Sequence, residues 1–501
     1  MKSRLRALLS GSLPSGGVTE QVIKSGMWVM SMNVSDRVLQ IILLVVLSNL
    51  LSPAEFGLFG VALLGLGALN RLSNLGLNEA LIYEKEENVD VYLDTALGLR
   101  VARGLIIAAL LFLAAPLIAD LLGEPGAVDV VRAIGLSPLL VGLHNPGVVY
   151  FRKDLDFHKE FLYRVSGSVL RFVVGIALAV ALQNVWALVL SYLAADVGQL
   201  IASYAAHDYR PGLSLSRKRA REMVTYGKWI TGGSIVYFLY SEGDDAIVAG
   251  LLGSAALGYY QLAYRLSNAP GTEVSEVVRS VSFPAFSKLQ DDMEALRSGF
   301  FQTLRLTTLI SFPMAVGIAA VAPVFVRAFM GSEWTPIIPV MQILAGYGLL
   351  LSVTSSYGSV WKAQGRPDIG PKLGAVRVVI MAVTIVPVTL EYGVVGTAAL
   401  VVGIFAFPMF QLDTYLLVKS LETTWWRVLR ELAYPAAASA AMGAVVVYAD
   451  RTLAVGPAPL EFFVLVGLGG VSYAAAVGVL ESLFGWGLQQ EVRAISDAIL
   501  G

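Results

Sequence analysis

Five arginines and three aspartates stand where a chain this apolar has little physical reason to place a charge. Asp36 and Arg37 are neighbours inside a mainly apolar run, Arg71, Arg164 and Arg171 follow before residue 207, and Asp244-Asp245 and Arg265 come after residue 222. A guanidinium is a planar fork of N–H donors that binds phosphate or carboxylate oxygens in pairs. Arg164 and Arg171, seven residues apart, share one helix face. Asp36 points about 100° around a helix from Arg37 and cannot fully pair it, which marks Arg37 as a contact for an anion from outside the helix. Asp244 and Asp245 fit either a salt bridge to Arg265 on the next helix or coupling to an ion, and Asp36 joins them as a coupling or gating candidate.

Other chemistries find no residues. The chain has no cysteine, so thiolate metal sites and disulfides are excluded, and its three histidines (His144, His158, His207) are unrelated in spacing. No G-x-x-x-x-G-K-[ST] loop occurs. Isolated Ser, Asp and His on apolar stretches make no catalytic set, so the expectation is a protein that is not an enzyme and needs no metal or other cofactor. A net charge of −1 argues against a nucleic-acid partner.

The elements that must carry these charges are membrane helices. Over 501 residues the composition is 56% hydrophobic and 15% charged, with a mean hydropathy of +0.69. A soluble chain carries about 25% charged residues, and here many apolar runs approach the ~20 residues that cross a bilayer. The predicted fold class is all-α, a polytopic membrane protein with about fourteen spans. They cover 26–50, 55–81, 95–119, 128–151, 160–182, 184–206, 223–250, 253–284, 303–330, 336–361, 371–390, 393–418, 431–449 and 460–484. The first span follows Pro14 and Gly16-Gly17 and lacks a small-residue cleavage site, which reads as a retained helix and not a signal peptide. Residues 1–10 fit either a short basic amphipathic helix on the inner leaflet or a frayed terminus.

Basic residues sort by side. Of the 36 lysines and arginines, 22 fall on the side of the N-terminus, 13 inside spans, and Arg451 alone on the opposite side. By the positive-inside rule both termini are expected in the cytoplasm, with an even number of spans.

The chain also resembles itself at a shift of 201 residues. Gly26 and Trp28 fall on Gly227 and Trp229, and Leu50-Leu51, Ala54 and Gly57 fall on Leu251-Leu252, Ala255 and Gly258. This predicts two lobes of six helices in the same orientation, with a site near the midplane between them. The predicted regions are an N-terminal segment 1–25, an N-lobe 26–206, an inter-lobe loop 207–222, a C-lobe 223–418, and a region 419–501 with two further helices and a cytoplasmic tail.

Charges inside spans cost about 2.5–3.5 kcal/mol each on insertion scales, so each calls for a partner, water or substrate. The first lobe holds Arg37, Arg71, Arg100, Arg103, Arg164 and Arg171 against few deep acids, chiefly Asp36 and Asp196, and so reads as an anion cavity. The second lobe is mixed. Arg100, Arg132, Arg327 and Arg377 read as snorkelling or structural.

Three segments resemble a known family. Leu50-Leu-Ser-Pro-Ala-Glu-Phe-Gly-Leu-Phe59 is similar to the helix 1–2 corner of the polysaccharide transporter family, the lipid-linked oligosaccharide flippases of the multidrug/oligosaccharidyl-lipid/polysaccharide superfamily. Asp244-Asp-Ala-Ile-Val-Ala-Gly-Leu-Leu-Gly253 with Leu257-Gly-Tyr-Tyr-Gln-Leu-Ala-Tyr264 resembles its helix 7–8 signature, and Ile134-Gly-Leu-Ser-Pro-Leu-Leu140 with Arg152-Lys-Asp-Leu-Asp-Phe157 its helix 4 and following loop. The resemblance implies a two-lobe fold and movement of a polyprenyl-phosphate-linked oligosaccharide from the inner to the outer leaflet by alternating access. It also implies membrane lipids and other polysaccharide-assembly proteins as partners, and a monomer. Related precursor flippases use cavity arginines on helices 1, 2 and 8, the helices that hold Arg37, Arg71 and Arg265. Two other readings stand beside it. A cation-coupled multidrug exporter of the same superfamily expects an acidic cavity, and a membrane glycan polymerase or ligase expects a large outer loop, whereas the outer loops stay under about 15 residues.

Overall fold

The computed structural model describes residues 18–73, 89–153, 156–212, 216, 238–452 and 456–485. The basic segment 1–10 and the C-terminal tail beyond Gly485 lie outside the described residues. All regular structure among the described residues is helical, and eleven runs there are long and apolar enough to cross a membrane. The burial pattern is that of a protein solvated by lipid. Leu113 and Phe463 are 76% and 65% exposed, while Thr308, Ser311 and Ser352 are fully buried. The chain is an all-α multi-pass membrane protein, and fourteen spans are compatible with it.

By packing the chain forms two compact units, Met1–Glu242 with Gly253–Ala255, and Gly243–Leu252 with Ala256–Gly501. Unit 1 holds α1 (Val18–Ser48), α2 (Pro53–Leu72), α3 (Val89–Leu121), α4 (Val128–Ile134), α5 (Ser137–Gly142), α6 (Val149–Lys153), α7 (Phe157–Leu182) and α8 (Trp186–Ala206). Local chemistry sets the ends. The Ser52 backbone N–H donates to Glu55 Oε2 at 2.8 Å, half of a capping box, with Pro53 opening α2. Asp156 precedes α7, which ends at Gln183 in the left-handed region, φ 48°.

The fourth span, expected as one run over 128–151, is broken into α4, α5, a 3-10 turn Pro146–Val148 and α6. Pro138 and Pro146 remove two donors there, and backbone groups freed inside a membrane protein need internal partners. Tyr204 Oη donates to Leu143 O at 3.2 Å, the Asn145 backbone N–H donates to Ser203 Oγ at 3.0 Å, and Asn145 Nδ2 donates to Tyr209 O at 2.7 Å. The His144 ring bridges Tyr163 Oη at 2.9 Å and Asp196 O at 3.1 Å. The broken helix is thereby tied to α7, α8 and the segment after α8.

Unit 2 takes most of α9 (238–252), then α10 (Ser254–Ser267) from its third residue, α11 (Ser275–Lys288), α12 (Met293–Phe329), α13 (Ile337–Thr354), α14 (Tyr357–Ala363), α15 (Ile369–Ile404), α16 (Phe410–Ser420), α17 (Trp425–Thr452) and α18 (Ala458–Phe484). Its core joins Phe286, Phe300, Leu304, Tyr357 and Trp361. The α12 N-cap, Asp292, accepts from the Glu294 and Ala295 backbone N–H groups at 3.1 and 3.0 Å.

Two ion pairs orient α12 and α17. Arg305 holds Glu431 through two bonds of 2.9 and 3.1 Å, and Arg327 meets Asp450 at 3.2 Å and Glu461 of α18 at 3.7 Å. Because 305 pairs with 431 and 327 with 450, the two helices run parallel. Parallel spans must be separated by an odd number of crossings. With α13–α14 as one, the 52-residue run Ile369–Ser420 must cross twice, as the two expected spans 371–390 and 393–418 require. The reversal falls at Gly393, whose φ of 62° is strained for any residue with a Cβ, and Thr389 and Thr397 close it hydroxyl to hydroxyl at 2.8 Å.

Candidate substrate-binding residues

In unit 1, Asp36, Arg164 and Arg171 lie along a seam between α1, α7 and α8. The α7 residues Arg164, Ser168 and Arg171 recur at helical spacing and form one stripe. Ser168 Oγ donates to Asp36 Oδ1 at 2.7 Å, which fixes α7 against α1 and occupies one oxygen of that carboxylate. Arg37, half-buried, donates from Nη1 to Gln40 Oε1 at 3.4 Å on its own helix. Arg164 Nε lies 3.3 Å from Glu160 Oε1 one turn away, so part of its charge is balanced. The Arg171 guanidinium carbon lies 5.3 Å from the centre of the Tyr192 ring on α8, with Asp196 in electrostatic reach.

Arg71 lies apart from that seam, exposed in the last turn of α2. Arg103, grouped in the sequence with the cavity arginines, has another task. Its Nε donates to Ser73 O at 2.8 Å, and its Nη2 to Asn70 O and Asn70 Oδ1, both at 3.0 Å. It caps the carbonyl end of α2, where a cation also meets the negative pole of the helix.

In unit 2, Asp244 and Asp245 are buried on α9. Tyr260 Oη donates to Asp244 Oδ2 at 2.6 Å and Gln261 Nε2 to Asp245 Oδ2 at 2.9 Å. Both donors come from α10, within the same motif as the aspartates, and neither was singled out from sequence. Arg265 is half-buried in the last turn of α10. Arg377 does not snorkel. It is 3% exposed on α15, its guanidinium 5.2 Å from the Tyr347 ring and 4.6 Å from the Phe405 ring, in electrostatic reach of Asp244 and Asp413. Among the described residues no group of three or more His, Cys, Asp or Glu is arranged to hold a metal ion.

The unit 1 seam can bind an anion, since guanidinium groups at membrane depth offer paired N–H donors in a low dielectric. The unit 2 aspartates, hydrogen-bonded to neutral donors in a buried setting, suit a role in which charge or protonation changes.

Comparison with known proteins gives these residues a setting. The family model described as Polysaccharide biosynthesis protein matches residues 46–339. The Lipopolysaccharide biosynthesis protein WzxC of Escherichia coli (strain K12) is 29% identical over 360 residues, 72% of this chain and 73% of that protein. The Succinoglycan biosynthesis transport protein ExoT of Rhizobium meliloti (strain 1021) is 26% identical, over 64% of this chain and 65% of its own. Among solved structures, the lipid II flippase MurJ in its inward closed conformation superposes with a TM-score of 0.72 at 14% identity, covering 90% of this chain and 99% of that one. That likeness establishes the fold, and the family match over 46–339, more than half of the chain, establishes the lineage: the chain belongs to the polysaccharide biosynthesis protein family.

Proposed function

We propose that the chain is a flippase that moves a polyprenyl-phosphate-linked oligosaccharide from the inner to the outer leaflet of the cell membrane by alternating access, for surface glycan biosynthesis. The observation that carries this reading is the coincidence of a glycan-biosynthesis family match with the fold of a lipid II flippase. Membrane-depth arginines add chemical sense, because a phosphate or diphosphate headgroup is the anionic part of such a cargo. Arg37, Arg71, Arg164, Arg171 and Arg265 are its contacts in this reading, and Asp36, Asp244 and Asp245 act in coupling or gating. Both termini lie in the cytoplasm, and the chain works as a monomer beside other polysaccharide-assembly proteins.

Deleting the gene tests the reading. Lipid-linked oligosaccharide should accumulate facing the cytoplasm, and Arg37→Ala should fail to restore export at normal protein abundance. Unchanged lipid-linked pools with altered dye efflux would replace the flippase with the cation-coupled exporter.

A further inference from the structure

We propose that Tyr192 is a positioning residue for the anionic headgroup, its ring holding the Arg171 guanidinium over its face and so fixing where the guanidinium N–H donors meet phosphate oxygens. The inference rests on the flippase reading and adds to it a residue and a geometry.

Depth comes first. Arg171 is fourteen residues from the start of α7 and eleven from its end, about 21 and 16 Å at 1.5 Å per residue, which is near the middle of a 30 Å hydrocarbon layer. Its neighbours define a wedge. Ser168, one turn earlier, bonds Asp36 of α1. At Gly175, one turn later, an added Cβ would lie 2.9 Å from Leu43 of α1 and 3.3 Å from Ser191 of α8, so all three helices close together there. Tyr192 is next to Ser191 and is braced by the buried Phe59, edge-on at 5.9 Å and 66°. The ring is thus fixed before the guanidinium is laid on it at 5.3 Å. A cation over the face of an aromatic ring is attracted by the ring quadrupole and not by an acceptor lone pair, so this contact differs in kind from the paired N–H bonds a guanidinium makes to phosphate oxygens.

The second unit carries the same device on corresponding helices of the repeat, and the comparison assigns the roles. Arg377 of the eleventh span lies on Phe405 of the twelfth, as Arg171 of the fifth lies on Tyr192 of the sixth. Arg377 is 3% exposed with Asp244 and Asp413 in reach, the setting of an internal counter-ion. Arg171 is half-buried, with its Nε inside the protein, and so is less enclosed than Arg377. The competing role for Arg171 is as partner of Asp196, one turn along α8 from Tyr192.

The experiment uses the full chain reconstituted in liposomes, with a fluorescent undecaprenyl diphosphate-linked disaccharide as probe and initial rates taken across probe concentrations. Tyr192→Phe keeps the ring and should match wild type. Tyr192→Leu and Arg171→Lys should each raise the half-saturating concentration about tenfold with little change in the plateau rate, one losing the platform and the other the fork. The double variant should be no worse than either single one, because both remove one device. Unchanged half-saturation in Tyr192→Leu, or a loss seen only in plateau rate and melting temperature and shared by Asp196→Asn, overturns the role of Tyr192 while the flippase reading stands. A wild-type protein that does not move the probe overturns that reading and this proposal with it.

Discussion

Tyr260 shows how much a single buried side chain can decide. Asp244 is 6% exposed, and the hydroxyl of Tyr260 reaches its Oδ2 at 2.6 Å. Leaving a buried polar group short of its hydrogen-bond partner costs about 1–3 kcal/mol. Tyr260→Phe should therefore lower unfolding stability in detergent by about 2 kcal/mol, read as an earlier melt in fluorescence-detected size exclusion. A melt equal to wild type would mean that Asp244 does not depend on this bond. At this scale residue types were legible in the sequence and partners were not. Membrane depth placed Arg103 and Arg164 among the cavity arginines and left Arg377 as snorkelling or structural, yet the first caps a helix, the second balances a glutamate a turn away, and the third lies over two neighbouring aromatic rings. Apolar periodicity says which residues are deep; it carries no information on which helix packs opposite them.

Elements were legible where they are continuous. The long helices α7, α8, α12 and α18 fall on their expected spans because a bilayer demands a run of about 20 apolar residues. The fourth span was not legible in its broken form, since its glycines and prolines are common in any membrane bundle and the partners that make the break tolerable, among them Ser203, Tyr204 and Tyr209, come from distant sequence. Packing of α17 on α12 depends likewise on a pair separated by 126 positions, Arg305 and Glu431. Breaking a buried ion pair by removing one partner costs about 3–5 kcal/mol, whereas replacing both by apolar residues is often neutral. Arg305→Met alone should loosen α17, seen as faster hydrogen exchange across Val428–Met442, and Arg305→Met with Glu431→Leu should restore protection. If the single and double variants exchange alike, the pair does not hold the helix.

For the whole molecule, the decisive quantity is the parity of the spans, because one missed crossing would turn every later loop to the other side of the membrane. The charge sorting predicts both ends inside, and the parallel course of α12 and α17, fixed by Arg305–Glu431 and Arg327–Asp450, requires an odd number of crossings between them, three when Ile369–Ser420 crosses twice. Ser332 follows α12 and Thr424 precedes α17, so the two lie toward opposite ends of that parallel pair, and both are exposed. The chain has no cysteine of its own, so a single introduced thiol is read without background. Ser332→Cys and Thr424→Cys are near-isosteric changes at exposed positions, where substitutions usually alter stability by less than about 0.5 kcal/mol. In intact cells a membrane-impermeant maleimide should label Ser332→Cys and leave Thr424→Cys unmodified until the cells are opened. The reverse pattern would invert the orientation and move the basic loops outside, against the positive-inside rule. Labelling of both from one side would break the parity itself, and with it the assignment of two crossings to Ile369–Ser420.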